Sequence, residues 1–580
     1  MTAPNENALW GQTICDELVA SGIDAVCVAP GSRSTPLTVA VAEHSDIRVF
    51  SHIDERSAAF FALGRARRTG TPTPLICTSG TAATNFYPAV IEANQSRVPM
   101  ILLTADRPRE LQDSGANQTI DQEKLYGDAV RKYRTLPEPA PEARRLRSLR
   151  TTVCRAVATA TGTPPGPVHL DVPLSKPLEP TPVEGAIPDD LAERAPLGTD
   201  GRDGPMVTTT RGTSALSDDS LSTVARAIEE SRTLIVTGPE DGPVPDRASL
   251  GALADATGAP VLADPLSGHR FGSHVSDRPV CGGYDSFLDG VEWPGPEVVL
   301  RFGASPTSKT LRTWLAHSDG RQFVVDPAGE WREAEFTASD LLVTDPTRLA
   351  EDLAGRLDET PTAWAERFER AEATYWDIVE SGHETQFFEG SVAATVAQSL
   401  PDPATLFVSN SMPVRDLDRF GKPHDRDVTV LGNRGASGID GITSTALGAG
   451  SGTEDPLVLL TGDLAYYHDM NGLLAVGRCD VDATIVLVNN DGGGIFHKLP
   501  IESFDPPFTE QFRTPHGLDF EPTAALYDLE YRPIPDRDAL ESTLSDSIAS
   551  DGTQILECQF DSERSHRHRE QVHKRVREEI

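Results

Sequence analysis

Apolar runs that end in short Gly-, Asp- or Asn-bearing loops, each followed by helix-forming sequence, recur along this 580-residue chain. Between residues 1 and 180, DAVCVAP leads into GSRSTPLTVAVAEH and PLICTSG leads into TAATNFYPAVIEA. MILLTADRP follows, and GPVHLDVP (166–173) reads as a closing strand. Strand–loop–helix alternation of this kind builds a parallel sheet covered by helices. A second block carries RTLIVTGP, APVLADP, EVVLRFGASP and QFVVDPAG. A third starts near FEGSVAATVAQSL, contains TLFVSNSMPVRDLDRF, and closes with QILECQF. The length suits about three domains. The expected architecture is α/β, with three doubly wound, mainly parallel-sheet domains at 1–180, 205–350 and 385–580. Residues 178–215, rich in Pro, Gly and charge, read as a linker. Residues 352–385 read as charged and helical, and the mixed-charge tail SERSHRHREQVHKRVREEI as a solvated helix with three histidines, His566, His568 and His573, of metal-ligating type.

The formal net charge is −36, and only seven of the 52 basic residues are Lys. An acidic, Lys-poor surface of this kind resembles that of cytoplasmic proteins from extreme halophiles, where salt screens charge repulsion within a few Å. The acidic residues are spread along the whole chain, which argues against a docking patch for a basic partner. The same field argues against nucleic-acid binding. The seven Cys form no CxxC pair, so neither a disulfide framework nor a zinc site is indicated. No apolar stretch reaches membrane-spanning length, and MTAPNENALW lacks a basic-then-apolar signal. A cytoplasmic protein without membrane partners is expected.

Two segments of the third block carry the most chemistry. LLTGDLAYYHDMN centres on Gly462-Asp463, and TIVLVNNDGGGIF contains Asn489-Asn490 and Gly492. Each follows an apolar run that reads as a buried strand. Two strand ends in one sheet would set a carboxylate, an amide oxygen and a Gly-rich backbone side by side. Such an oxygen-only set suits Mg²⁺ and its preference for phosphate co-ligands. Taken singly, each segment is no more than a turn or loop. Together, Gly-Asp followed 27 positions later by the second Asn resembles the diphosphate-binding motif of thiamine-diphosphate enzymes. That resemblance implies thiamine diphosphate and Mg²⁺ (or Mn²⁺) as cofactors, with Asp463, Asn490 and the backbone carbonyl of Gly492 as metal ligands. It also implies that the first domain binds the aminopyrimidine, that the middle one is largely structural, and that the last binds the diphosphate.

In that family a first-domain Glu lies against the ring nitrogen N1′ and helps the cofactor deprotonate. SHIDERSAAFFALG places Glu55 at the matching position. Read alone, Asp54-Glu55-Arg56 is an ordinary charged helix start. Because this Glu and the diphosphate site meet across a subunit interface in the family, a homodimer or a dimer of dimers is implied.

Further segments narrow the resemblance: APGSRSTPLT (29–38), TSGTAATNFYPAVIEA (78–93), LLTADRPRELQDSGANQTIDQ (102–122), SNSMPVRDLD (409–418) and NRGASGIDGITSTALG (433–448). These are similar to the 2-succinyl-5-enolpyruvyl-6-hydroxy-3-cyclohexene-1-carboxylate synthases of menaquinone biosynthesis. Those enzymes decarboxylate 2-oxoglutarate and add the succinyl carbanion equivalent to isochorismate. Both substrates are dicarboxylates, and guanidinium groups recognise carboxylate in bidentate fashion. The resemblance implies Ser32, Arg33, Arg107, Asn117 and Gln118 for isochorismate, and Ser411, Arg415 and Arg434 for the 2-oxoglutarate-derived carboxylate. Ile439 matches the apolar residue that supports the bent cofactor, and Phe496 a residue near its rings. In GSRSTP, Ser34 or Thr35 can cap a helix with Pro36 in its first turn. If MPVRDLD is helical, Ser411 and Arg415 share one face. The chain departs from the family where a Lys-Arg pair is usual. Lys309 is present but Thr310 follows it, and Arg312 lies one turn on. Two other readings remain open: a different thiamine-diphosphate 2-oxoacid decarboxylase or acetohydroxyacid synthase-like carboligase, and a non-catalytic module that keeps the fold.

Overall fold

The structure, a computed structural model, describes residues 3–229, 231–278, 280–289, 293–358 and 363–580. The expected helix over 352–385 is found as Ala363–Thr385, and residues 359–362 of that stretch lie outside the described residues. The chain forms two compact units. One comprises Met1–Arg211, Gly435–Glu454 and Asp469–Val481; the other comprises Gly212–Arg434, Asp455–His468 and Asp482–Ile580.

The first unit is built on a six-stranded sheet of β1 (Ala25–Val28), β2 (Arg48–Ser51), β3 (Thr73–Cys77), β4 (Met100–Asp106), β5 (Lys132–Thr135) and β6 (Pro167–Pro173). Its order is β2-β1-β3-β4-β6-β5, and every pairing is parallel. All positions of β1, β3, β4 and β6 are buried, as expected of strands covered on both faces. The helix Glu55–Thr69 packs on Ile442–Gly450 so tightly that a Cβ at Gly64 would collide with the Thr445 carbonyl. The stretch read as a linker is in part packed: Leu191 and Ala195 join the core of this unit, and Arg150 Nε donates to Gly198 O at 2.9 Å.

The second unit holds two sheets. One contains β7 (Thr233–Thr237), β8 (Val261–Ala263), β9 (Val280–Cys281), β10 (Val298–Phe302), β11 (Arg321–Val325) and β12 (Asp340–Leu342), in the order β12-β11-β10-β7-β8-β9. The other contains β13 (Ala404–Val408), β14 (Val428–Leu431), β15 (Leu457–Gly462), β16 (Thr484–Asn489), β17 (Glu530–Ile534) and β18 (Gln554–Gln559), in the order β14-β13-β15-β16-β18-β17. The last order repeats that of the first unit. In both, the direction of winding switches between the first and third strands, and ligands of doubly wound sheets bind outside the carboxyl ends at such a point.

The C-terminal helix Ser562–Glu579 is not solvated all round. His566, His568, Arg569, Val572, His573 and Val576 are buried. His573 Nε2 pairs with Asp289 at 2.7 Å and His568 packs on the Phe388 ring. Among the described residues no group of three His, Cys, Asp or Glu is arranged to hold a metal. All seven cysteines are buried free thiols. No described helix is long and apolar enough to cross a membrane.

Candidate active site

In the second unit, β15 ends at Gly462 and Asp463 opens the helix Asp463–His468. The neighbouring strand β16 ends at Asn489, so Asn490 lies beside Asp463. The Asp463 carboxylate is 3% exposed. Its Oδ2 accepts from the backbone amides of Asn490 at 3.1 Å and Gly492 at 2.9 Å. His516 Nε2 lies 3.1 Å from the same oxygen. Burial raises the Asp463 pKa, opposed by the Gly492 amide and by His516. Gly492 has φ +134°, and a Cβ there would collide with the Arg513 carbonyl, so only glycine lets the loop close. Asn490 Nδ2 donates to Glu389 Oε1 at 3.1 Å, while the amide oxygen is buried with no partner. A buried acceptor left open costs free energy unless something fills it. An acceptor oxygen of this kind beside a buried carboxylate fits an oxygen-seeking dication.

A cationic cluster adjoins the end of β13. Ser411 sits at φ +71°, a strained conformation for a non-glycine residue, and opens the helix Met412–Phe420. Arg415 Nη1 donates to Ser411 O at 2.5 Å, a bond back to the backbone of the residue that precedes the helix. Arg434 Nη1 donates to Asn410 Oδ1 at 2.8 Å, and Asn410 Nδ2 donates to Asn433 O at 2.6 Å. Burial, and then the nearby Arg434 cation, push the Arg415 pKa below its ordinary value; Arg312 acts in the same direction. Two guanidinium groups held close at such cost are suited to an anion. On the helix Lys309–Ala316, Lys309 is exposed and Arg312 is half-buried. Of the two, Arg312 is the one whose charge acts on Arg415. Phe496 is half-buried in the turn Gly494–Lys498, with its ring edge-on to Phe512 at 5.5 Å.

In the first unit, three loops meet at the carboxyl ends of β1, β3 and β4. The Arg33 amide donates to Thr78 Oγ1 at 3.3 Å, and its buried guanidinium donates to Leu174 O at 2.6 Å. Ser32 is exposed at the tip of this loop. The expected cap from Ser34 or Thr35 does not form: their hydroxyls donate back to Gly31 O at 3.0 Å and Ser32 O at 2.8 Å, and the helix Thr35–Glu43 starts without a side-chain cap. Gln118, at φ +56°, exchanges hydrogen bonds with Ser79, and Arg107 Nη2 donates to Asn117 O at 2.9 Å. Arg33, Arg107, Asn117 and Gln118 are thus brought onto one loop cluster. Glu55 is half-buried at the first turn of Glu55–Thr69. The N-cap is Asp54, whose Oδ1 accepts from Arg56 N at 2.9 Å, so capping does not occupy Glu55. Ile439 is half-buried in a loop that Glu92 clamps by accepting from Gly435 N at 2.8 Å and Ala436 N at 2.6 Å.

Sequence reasoning missed Glu92, Gln122, Glu389 and His516. Gln122 ties the Gly80 amide to a buried acid, accepting from Gly80 N and donating to Asp171 Oδ1, both at 2.9 Å. Burial, and then the neighbouring Asp106, raise the Asp171 pKa to about 7. A carboxyl whose folded pKa exceeds its unfolded value stabilises the fold at low pH, and that contribution is lost as pH rises through about 7. The difference from an ordinary aspartate corresponds to on the order of 4 kcal/mol. Asp171→Asn is expected to match the parent in thermal unfolding near pH 4 and to exceed it at pH 8.5. Parallel melting curves at both pH values would refute this.

Comparison with known proteins agrees with this geometry. Residues 10–125 match the family model described as the thiamine pyrophosphate enzyme N-terminal TPP binding domain. Residues 225–408 match the middle domain of thiamine pyrophosphate enzymes, and residues 425–558 the C-terminal TPP binding domain. The chain is 62% identical to a 2-succinyl-5-enolpyruvyl-6-hydroxy-3-cyclohexene-1-carboxylate synthase from Haloarcula marismortui, over 100% of both chains. It is 61% identical to the Natronomonas pharaonis protein of that name, again over 100% of both. It is 48% identical to the one from Roseiflexus castenholzii, covering 96% of this chain and 97% of that one. With identity of this extent along its whole length, and the three thiamine pyrophosphate domains in order, the chain belongs to the 2-succinyl-5-enolpyruvyl-6-hydroxy-3-cyclohexene-1-carboxylate synthase family of thiamine-diphosphate enzymes.

Proposed function

We propose that this protein decarboxylates 2-oxoglutarate and joins the remaining succinyl unit to isochorismate, giving 2-succinyl-5-enolpyruvyl-6-hydroxy-3-cyclohexene-1-carboxylate and CO₂. The observation that carries the reading is the full-length identity to synthases of that name, over a chain that retains the Asp463–Asn490 pair and its adjoining arginines. Bound thiamine diphosphate supplies the nucleophilic carbon and the electron sink for loss of CO₂. Asp463, Asn490 and the Gly492 carbonyl hold Mg²⁺ or Mn²⁺, which in turn neutralises the diphosphate. Ile439 and Phe496 present apolar surface to the cofactor. Glu55 exchanges a proton with the aminopyrimidine. Ser411, Arg415 and Arg434 bind the carboxylate that 2-oxoglutarate retains. Ser32, Arg33, Arg107, Asn117, Gln118 and Lys309 receive isochorismate, with Arg312 taking the place of the family's missing arginine. The protein acts in the cytoplasm on small molecules, as a homodimer or a dimer of dimers.

The test is CO₂ release from 2-oxoglutarate with thiamine diphosphate and Mg²⁺ in high salt, with and without isochorismate. Release coupled to isochorismate consumption is expected. Release indifferent to isochorismate, or a preference for pyruvate, would assign the chain to another 2-oxoacid reaction.

A further inference from the structure

An amide side chain has two chemically different ends, and only its oxygen can ligate a cation. Whatever grips the NH₂ end of Asn490 therefore decides which end faces the metal position. That grip is Glu389, the first residue of the helix Glu389–Ser399, whose Oε1 accepts from Asn490 Nδ2 at 3.1 Å. Glu389 is 2% exposed, and a carboxylate so deeply buried requires a counter-charge. Arg569 provides it from the C-terminal helix. Its Nη2 donates to Glu389 Oε2 at 2.6 Å and to Asp416 Oδ2 at 2.5 Å, and its Nε donates to Asp416 Oδ1 at 2.7 Å. Arg569 and Asp416 are as buried as Glu389. Gly494 keeps the space clear, since a Cβ there would come within 2.6 Å of Asn490 Nδ2.

We propose that Arg569 and Glu389 are positioning residues for the metal ligand Asn490. The C-terminal helix, through Arg569, fixes the Glu389 carboxylate, which holds the Asn490 NH₂ group and leaves the amide oxygen turned to the cation. The inference rests on the reading of Asp463, Asn490 and Gly492 as the cation site.

The probe is Mn²⁺, titrated into the full-length chain with thiamine diphosphate in high salt, with free Mn²⁺ read by electron paramagnetic resonance. Glu389→Gln keeps the side-chain shape, and Arg569 keeps Asp416 as its counter-charge, so a folded protein is expected, checked by its thermal midpoint. The new amide must offer its oxygen to Arg569 and hence its NH₂ to Asn490, which favours the wrong Asn490 orientation. Mn²⁺ affinity is expected to fall about 10-fold or more, and turnover to recover on raising Mn²⁺. Arg569→Lys, which keeps a charge but not the two-carboxylate fork, is expected to give a smaller loss. In an Asn490→Asp background both ligand ends are oxygen, so Glu389→Gln is expected to cost no affinity. Parent-like Mn²⁺ binding by Glu389→Gln, or an equal loss in both backgrounds, would overturn the proposal. Parent-like binding by Asp463→Asn would instead show that the cation-site reading itself had failed.

Discussion

Glu55→Gln is expected to lower turnover by about 10²- to 10⁴-fold, the range attributed to a positioned proton-transfer group. Glutamine has the same shape and can still form hydrogen bonds, but it cannot give up or take on a proton at physiological pH. The fold should survive the change. The cap of the helix Glu55–Thr69 is made by Asp54, and its far end is closed by Gly70 in the left-handed conformation, neither of which the substitution touches. Cofactor affinity, measured by quenching of intrinsic fluorescence, is therefore expected to stay near that of the parent while CO₂ release collapses. Near-parent turnover with added thiamine diphosphate would remove Glu55 from the chemistry.

Asp463→Asn is expected to abolish useful Mg²⁺ binding by a separate route. The substitution keeps an oxygen in place but removes the one full negative charge among the three proposed ligands. At an effective dielectric near 20, a unit charge a few Å from a cation is worth several kcal/mol. A loss of about 100-fold or more in Mg²⁺ affinity follows, since each ~1.4 kcal/mol is tenfold. The amide would also place its NH₂ where Oδ2 now accepts from Asn490 and Gly492, or surrender its oxygen to them. Calorimetric titration of Mg²⁺ in the presence of thiamine diphosphate checks this, and affinity within a few-fold of the parent would refute it. Glu55→Gln and Asp463→Asn should thus separate chemistry from cofactor retention: the first leaves binding intact, the second does not.

The sequence alone marked the central strands and the residues at their ends. In β3, β4, β13, β15 and β16 nearly every position is buried and each strand carries an apolar run, so the strand is visible without its neighbours. Asp463, Asn490, Ser411 and Arg107 were visible because loops at strand ends are where polar residues interrupt that pattern. Tertiary structure decided the rest. The edge strands β2, β5, β12 and β17 are short, half-exposed and mix charged with apolar residues, so no local pattern announced them. The buried stripe of the C-terminal helix is made of Ser, His, Arg and Val rather than Leu or Ile, so it read as a solvated tail. It is buried by Val572 and Val576, which join a hydrophobic core, and by Arg569, whose carboxylate partners lie 153 and 180 residues away. Likewise His516 reaches Asp463 across 53 residues, and Glu92 reaches Gly435 across 343. Hydrophobic burial is recorded residue by residue along a strand, whereas a buried charge is stable only through its partner, and only the folded chain chooses that partner.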